Sequence, residues 1–191
     1  MKTEAVIQYL SEYDGRPLKL MEVCGTHTAS IFKNGIRSLI SPKIKLISGP
    51  GCPVCVTPTA YIDKVISYAE KPDCVVYTFG DMMKVPGSKG SLSDMKGKGI
   101  HVEMMYSPFE VLEKAEKNPQ KDHVIAAVGF ETTAPVYALF MQEAERRGIS
   151  NIKLVTALKT VIPALRWICE NQEDIDGFIC PGHVSVIIGS H

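Results

Sequence analysis

The sequence lacks several features that would assign a protein quickly to a functional class. Its 191 residues include no run of about 18 apolar side chains, the length that a membrane-spanning helix needs. Lysine and arginine total 21, as do aspartate and glutamate, so no charge excess points to nucleic acid or to an anionic membrane. Residues 1–13 form an acidic amphipathic segment unlike a signal peptide, and we expect a cytoplasmic protein with neither of those partners.

Cysteine, in contrast, is plentiful, with six residues in the chain. Because thiols stay reduced in the cytosol, these cysteines are better interpreted as metal ligands or redox thiols than as a disulfide framework. The length is enough for one full core or two small ones. The chain closes on an apolar run that begins at Val186, and we expect that a C-terminal portion is missing.

Strand-like and helix-like segments alternate along the whole chain. This pattern predicts an α/β fold with two Rossmann-like lobes, whose parallel sheets face a cleft. We place the first lobe at residues 1–118 and the second, incomplete one at 119–191, with the boundary at Asn118-Pro119. Unusual motifs directly follow predicted strands: CGTHT at 24–28, GPGCPVC at 49–55, FGDM at 79–82, GFETTAP at 129–135 and CPGHVS at 180–185. Because ligands bind beyond the carboxyl ends of parallel strands, these motifs are expected to converge on one edge or one cleft.

The strongest chemical signal is the C-x-x-C pair of Cys52 and Cys55. It lies in a loop stiffened by prolines, between a predicted strand and a helix that Thr57 and Pro58 are expected to open. Free N–H groups and the positive dipole end at a helix start stabilise thiolates. The spacing permits an intraloop disulfide, so a thiol–disulfide pair is one interpretation and simple packing is the other.

Cys24 and His27 form a C-x-x-H pair at the end of the first predicted strand. Together with Cys52 and Cys55 they make a possible Cys₃His zinc set, although a chain of this length does not need a structural metal to build a core. Alternatively, Cys24 alone at a helix start is a thiolate suited to a soft or intermediate metal, with His27 in a supporting role.

The remaining candidates have an ordinary structural interpretation beside the functional one. Glu131 and Asp81 are either acid–base or ligand-binding groups, or charges near a helix start. Cys180 and His183 repeat the C-x-x-H spacing in a loop that proline and glycine are expected to expose. Of the other residues with reactive or aromatic side chains, we expect Cys74, Cys169 and Trp167 to pack in the core, and His101 and His123 to lie at the surface.

Six segments of the sequence, in this order, closely resemble the hydrogenase maturation factor HypD family: MEVCGTHT, SGPGCPVCVTP, TFGDMMKVPGSKGSL, YSP, GFETTAP and CPGHVSVIIG. The resemblance covers the chain from about residue 18 to its end. It implies a scaffold that works with the small chaperone HypC to assemble the Fe(CN)₂CO centre of nickel–iron hydrogenases. The HypE–HypF pair would deliver the cyanide. The family fold has two α/β lobes and a C-terminal domain holding a 4Fe-4S cluster.

The resemblance also implies roles for individual residues. Cys24 would hold the iron together with a cysteine of HypC, and His27 matches the first histidine of the same motif. Cys52 and Cys55 match a redox-active thiol pair that would supply two electrons. Glu131 and His183 match positions in the cleft and would be catalytic. From the same loops, we predict that Thr26, Gly51 and Asp81 contact the bound cofactor.

Three departures from the family pattern stand out. Ala29 occupies the position where the first motif commonly has a second histidine, so that histidine is dispensable here. Residues 157–159 contain no histidine, although many relatives have one there. The cysteines that bind the 4Fe-4S cluster do not occur in these 191 residues. The competing functions are a stand-alone thiol–disulfide oxidoreductase and a structural zinc protein.

Overall fold

The protein is described by a computed structural model over residues 3–189. Its helices are α1 (Thr3–Ser11), α2 (Gly25–Lys33), α3 (Ile36–Leu39), α4 (Thr59–Ala69), α5 (Leu92–Lys96), α6 (Glu110–Lys117), α7 (Ala134–Arg146), α8 (Val161–Asn171) and α9 (Gly182–Ile188). The strands are β1 (Leu18–Glu22), β2 (Ile44–Ser48), β3 (Cys74–Thr78), β4 (Pro86–Gly87), β5 (Gly90–Ser91), β6 (Val102–Met104), β7 (Asp122–Gly129), β8 (Ile152–Leu158) and β9 (Gly177–Ile179). Within this range, no helix combines the length and the apolar character needed to cross a membrane.

The two main sheets are entirely parallel, which confirms the predicted α/β class with Rossmann-like sheets. The residues group into two compact units. Unit 1 joins the chain up to Cys52 with the chain from Thr160 onward, and unit 2 is Pro53–Lys159. This grouping differs from the predicted division at residue 118, because β3 and β7 lie on either side of that residue and pair with each other.

Unit 1 is organised around a three-stranded sheet in the order β2-β1-β9. The central strand β1 is near the start of the chain, whereas β9 comes from near its end. Polar contacts join the two segments: Asp176 accepts a hydrogen bond from the backbone N–H of Lys19 at 2.7 Å, and Asp176 and Asp174 form ion pairs with Arg16 and Lys19. The pairing of β1 with β9 therefore has side-chain support at the strand starts.

Unit 2 contains a four-stranded sheet in the order β6-β3-β7-β8, and both faces of it are covered. Successive residues of β3 and β7 alternate between two buried clusters. Val76, Val124 and Ala126 pack on one face with α4 and α5, while Tyr77, Ile125 and Ala127 pack on the other with α6 and α7. A continuous apolar strand buried on both faces is what parallel pairing predicts.

Local sequence signals account for several element ends, with one error. Ser91 caps α5 through a capping box with Asp94. Gly35 adopts φ 60° after α2, the left-handed conformation that commonly ends a helix. The predicted Thr57 cap is wrong, because the Thr57 hydroxyl donates to the carbonyl of Pro53 at 2.8 Å and Pro58 precedes the first residue of α4.

Three predictions of burial are also wrong. His123 is buried, with 1% of its surface exposed, because its Nδ1 lies 3.0 Å from the Tyr77 hydroxyl inside the sheet layer. Trp167, on α8, is 58% exposed instead of lying in the core. Cys169, on the same helix, is exposed as well, whereas Cys74 is buried as expected.

The buried His123 makes the stability of the protein depend on pH. Burial lowers the pKa of His123 below its ordinary value, against a smaller opposing effect of the hydrogen bond to the Asn118 carbonyl. The neutral ring is therefore favoured in the folded state. Its contribution is complete above about pH 6.5, the unfolded value, and is lost as pH falls toward the folded pKa, with a slope of at most about 1.4 kcal/mol per pH unit.

We expect His123→Gln to flatten this pH dependence. The free energy of unfolding can be measured by urea unfolding followed by circular dichroism. As the pH is lowered from about 6.5, this free energy should decrease less in the variant than in the wild type. His101→Gln is the matched control, because His101 is exposed and its replacement should leave the slope unchanged. Equal slopes for the wild type and His123→Gln would contradict the assignment.

Candidate functional site

The carboxyl ends of the three strands of unit 1 lie at one level of its sheet. Glu22, the last residue of β1, pairs with Ser48 on one side and with Ile179 on the other. Each of these residues ends its strand, so the following motifs all begin at the same edge. They are the CGTHT motif at 24–28, the first part of GPGCPVC at 49–52 and the CPGHVS motif at 180–185. Convergence is therefore confirmed for these three motifs within unit 1.

The other two motifs follow neighbouring strands of unit 2. Asp81 is exposed in the 3₁₀ turn Gly80–Lys84 after β3, and Glu131 is half-buried in the turn between β7 and α7. Because β3 and β7 pair in parallel, both residues follow the same edge of the four-stranded sheet. The predicted motifs thus fall into two groups, one for each unit.

Cys24 lies at the unit 1 edge, two residues after β1 ends. It adopts an extended backbone conformation immediately before α2, and only 8% of its surface is exposed. Its carbonyl accepts hydrogen bonds from the N–H groups of His27 at 3.0 Å and Thr28 at 3.3 Å. Its Sγ lies 2.9 Å from Thr26 Oγ1, so the threonine hydroxyl can donate to a thiolate there. The thiol is held at a helix start, as the sequence predicted.

Gly51 brings the loop after β2 against the backbone of Cys24. A Cβ at position 51 would lie 2.3 Å from the Cys24 nitrogen and 2.3 Å from the Val23 carbonyl carbon, which no side chain can tolerate. The same loop is tied to the strand by a hydrogen bond of 2.8 Å from the Gly49 N–H to the Glu22 carbonyl. This glycine therefore sets how closely the loop after β2 approaches Cys24; its predicted contact with a cofactor stays a prediction.

His27 and His183 have different surroundings. His27, in the first turn of α2, is half-buried, and its Nδ1 is buried with no hydrogen-bond partner among residues 3–189. His183, in the first turn of α9, is exposed, as is Cys180. In the described part of the chain, no three histidine, cysteine, aspartate or glutamate side chains are close enough together to hold a metal ion.

The two cysteines of the C-x-x-C segment differ in exposure. Cys52 is half-buried at the end of unit 1, whereas Cys55 is exposed in unit 2. Cys55 borders a cavity of about 390 Å³ whose wall includes Asp81, Lys84 and Thr59. An exposed thiol, a carboxylate, an ammonium group and a hydroxyl therefore line the same cavity. Two of these residues, Cys55 and Asp81, are candidates from the sequence.

From this difference we expect Cys55 to react faster than Cys52 with a thiol reagent. Iodoacetamide labelling of the reduced chain, read by peptide mass spectrometry at successive times, should show Cys55 modified first because the reagent reaches an exposed thiol more easily. Cys169 and Cys180 are exposed internal references, and Cys74 is a buried one. Faster labelling of Cys52 would contradict the expectation.

One residue of this edge escaped the sequence interpretation. The sequence pattern predicts no more than a strand residue at Glu22, yet the Glu22 side chain is fully buried and its Oε2 has no hydrogen-bond partner in the described residues. A charged residue between Met21 and Val23, at the end of a mostly apolar strand and two positions before Cys24, was the available signal. Buried carboxylates are costly, so such a position invites a functional explanation.

Comparison with known proteins agrees with the motifs. A family model described as "HypD: Hydrogenase formation hypA family" matches residues 2–191. The chain is 46% identical over 177 residues to the hydrogenase maturation factor HypD of Rhodobacter capsulatus, covering 92% of this chain and 47% of that protein. It is 44% identical to HypD of Escherichia coli K12, covering 95% and 49%, and 42% identical to HypD of Azotobacter vinelandii, covering 92% and 48%. The chain thus spans about half the length of these curated relatives.

Proposed function

Because the chain belongs to the HypD family of hydrogenase formation proteins, we propose that it acts in the maturation of nickel–iron hydrogenases as a cytoplasmic scaffold for the iron centre. The observation that carries this proposal is the edge of the unit 1 sheet. There, a nearly buried thiol, Cys24, is held at a helix start with a hydroxyl at hydrogen-bond distance. A thiolate in this setting is a suitable ligand for iron.

In this proposal iron is the cargo, and the chain supplies only part of its coordination. Cys24 and His27 are two donors, so the remaining positions belong to a thiol of a small chaperone of the HypC type and to the cyanide and carbonyl groups. The N–H groups at the start of α2 are candidates to hydrogen-bond the cyanide nitrogens. Thr26 and Gly51 would then define the wall beside the thiol.

Cys52 and Cys55 are proposed as the electron source. If two thiols close to a disulfide, they release two electrons and two protons. An electrophilic cyano donor, X–C≡N, takes up the two electrons, its X–C bond breaks, and cyanide leaves for the iron while X departs as an anion. The HypE–HypF pair would present that donor. Asp81 and Lys84, which line the cavity beside Cys55, are proposed to contact the donor. Glu131 and His183 are proposed to manage protons.

A 4Fe-4S cluster does not fit the residues described. Such a cluster requires four cysteine thiolates, and no three suitable side chains gather anywhere in residues 3–189. No step is therefore assigned to a cluster in this chain.

The second candidate is a thiol–disulfide oxidoreductase, which the exposure of Cys55 favours. In that case catalysis would depend on Cys52 and Cys55 and would be indifferent to Cys24.

The two functions are separated by an infrared spectrum of the chain purified anaerobically with a HypC-type chaperone and iron. Cyanide and carbonyl stretching bands together with bound iron support the maturation scaffold. No bands and no iron, but a Cys52–Cys55 disulfide that forms and is reduced reversibly, would leave the oxidoreductase. Tightly held zinc, with loss of folding on chelation, would instead favour the structural zinc protein.

A further inference from the structure

We propose that Glu22 is a positioning residue for His27: its Oε2 accepts the Nδ1–H of the imidazole and leaves Nε2 as the metal-binding atom. The value of this hydrogen bond for iron rests on the proposed function above. The hydrogen bond itself is a property of the metal-free chain and can be tested without iron.

Glu22 has one carboxylate oxygen to offer. Its side chain is fully buried, and Oε1 lies 3.3 Å from Arg37 Nη2, which comes from the short helix α3. The other oxygen, Oε2, is buried without a partner in the described residues. An unsatisfied buried polar atom destabilises the folded chain, so a donor that reaches Oε2 stabilises it.

His27 offers the complementary atom. Its Nδ1 is also buried and also without a partner among residues 3–189. The ring has two tautomers, and the hydrogen bond made by one nitrogen decides which nitrogen is left to bind a metal. Two buried atoms without partners, a carboxylate oxygen that accepts and a ring nitrogen that can donate in one tautomer, therefore occur within five residues of one strand–helix turn.

The fold places both side chains on the same side of the unit 1 sheet. Side chains alternate along a strand, so Glu22 shares a face with Leu18 and Leu20. These two leucines and His27 line one apolar cavity of about 530 Å³, which shows that α2 covers this face. At the level of Glu22, its strand partner Ser48 has its Oγ 3.4 Å from Oγ1 of Thr28, the residue after His27.

A hydrogen bond between the two atoms would satisfy both. Metal-binding histidines generally donate their second ring N–H to a carboxylate or a carbonyl, and loss of that partner weakens metal binding about 10- to 100-fold. In this chain Glu22 is the last residue of β1 and precedes Cys24 by two residues. Strand β1 would thus position both the ligand thiol of Cys24 and the carboxylate that orients His27, the second ligand.

The test is ¹⁵N NMR of the metal-free chain labelled at histidine, recorded about two pH units above the ordinary histidine pKa of about 6.5. The His27 signals are assigned with a His27→Gln variant. We expect protonation at Nδ1 in the wild type. In Glu22→Met, which keeps the side-chain length but removes the acceptor, the proton should move to Nε2. Arg37→Met is the matched control and should leave the tautomer unchanged.

Two results would overturn the proposal: a wild-type His27 protonated at Nε2, or a Glu22→Met variant with the wild-type tautomer. The first decides the matter even if the variant fails to fold. Titration with Fe(II) adds an independent measurement, in which Glu22→Met should bind about 10- to 100-fold more weakly than Arg37→Met. If the wild type binds no iron at Cys24, the proposed function fails, while the tautomer still decides the role of Glu22.

Discussion

A Cys24→Ser variant is expected to retain no iron in complex with a HypC-type chaperone and to show neither cyanide nor carbonyl bands. Serine keeps the size of the side chain and the contact with Thr26, but it replaces a soft thiolate by a hydroxyl that stays protonated at neutral pH. Losing an orienting partner of a ligand already costs about 10- to 100-fold in affinity, so losing the ligand should cost more than about 100-fold. Iron content and the infrared spectrum measure this directly.

Cys169→Ser provides the control for this experiment. Cys169 is an exposed thiol on α8 of the same unit, outside the three motifs at the strand ends. Its variant should retain iron and bands at the wild-type level. Iron retained equally by Cys24→Ser and the wild type would show that the cargo is held elsewhere, and would remove the main support for the scaffold function.

A Gly51→Ala variant is expected to lose both stability and iron. The added Cβ would meet two backbone atoms of Val23 and Cys24 at 2.3 Å, and backbone cannot move aside as the end of a flexible side chain can. Overpacking typically costs about 1–3 kcal/mol, and we expect the upper end of that range here. Thermal unfolding followed through the fluorescence of the single tryptophan, which lies in unit 1, should give a melting temperature lower by roughly 6–12 °C.

Gly25→Ala is the matched glycine control, because a Cβ at position 25 meets nothing within 4 Å. Gly25 is the first residue of α2, and alanine there should leave stability unchanged or raise it by about 0.5–1 kcal/mol. A Gly51→Ala variant as stable as Gly25→Ala would mean that the loop after β2 can shift without cost, and that its close approach to Cys24 is not enforced.

The sequence predicted most of what local rules control. Alternating strands and helices indicated parallel sheets, and the motifs at strand ends indicated an edge where they meet. Ser91 and Gly35 end their elements by local rules, because capping and left-handed stops depend on a few adjacent residues. The His123 and Trp167 environments were mistaken, since burial depends on which distant element covers a residue. His123 is buried beside Tyr77 of the neighbouring strand β3. Trp167 is exposed, and no element in the described residues covers it.

The grouping of the strands could not be predicted in the same way. Nothing near β1 indicates that its second neighbour is a strand more than 150 residues further along the chain, because parallel pairing leaves no turn signal between partners. The buried Glu22 escaped notice for a related reason. A glutamate at a strand end is ordinary on an exposed surface, and only the packing of α2 and α3 over that face makes it unusual.

The insertion of β9 beside β1 has a consequence for the order in which the chain folds. Unit 2 is one uninterrupted segment with its own two clusters of buried residues, so it can form as soon as its residues have left the ribosome. Unit 1 has to wait, because its central strand lacks one neighbour until residues 177–179 have been synthesised. Contacts of such long sequence separation carry the entropic cost of closing a long loop and form slowly. The thiol that we propose as the iron ligand would therefore be exposed during synthesis and reach its nearly buried position only late.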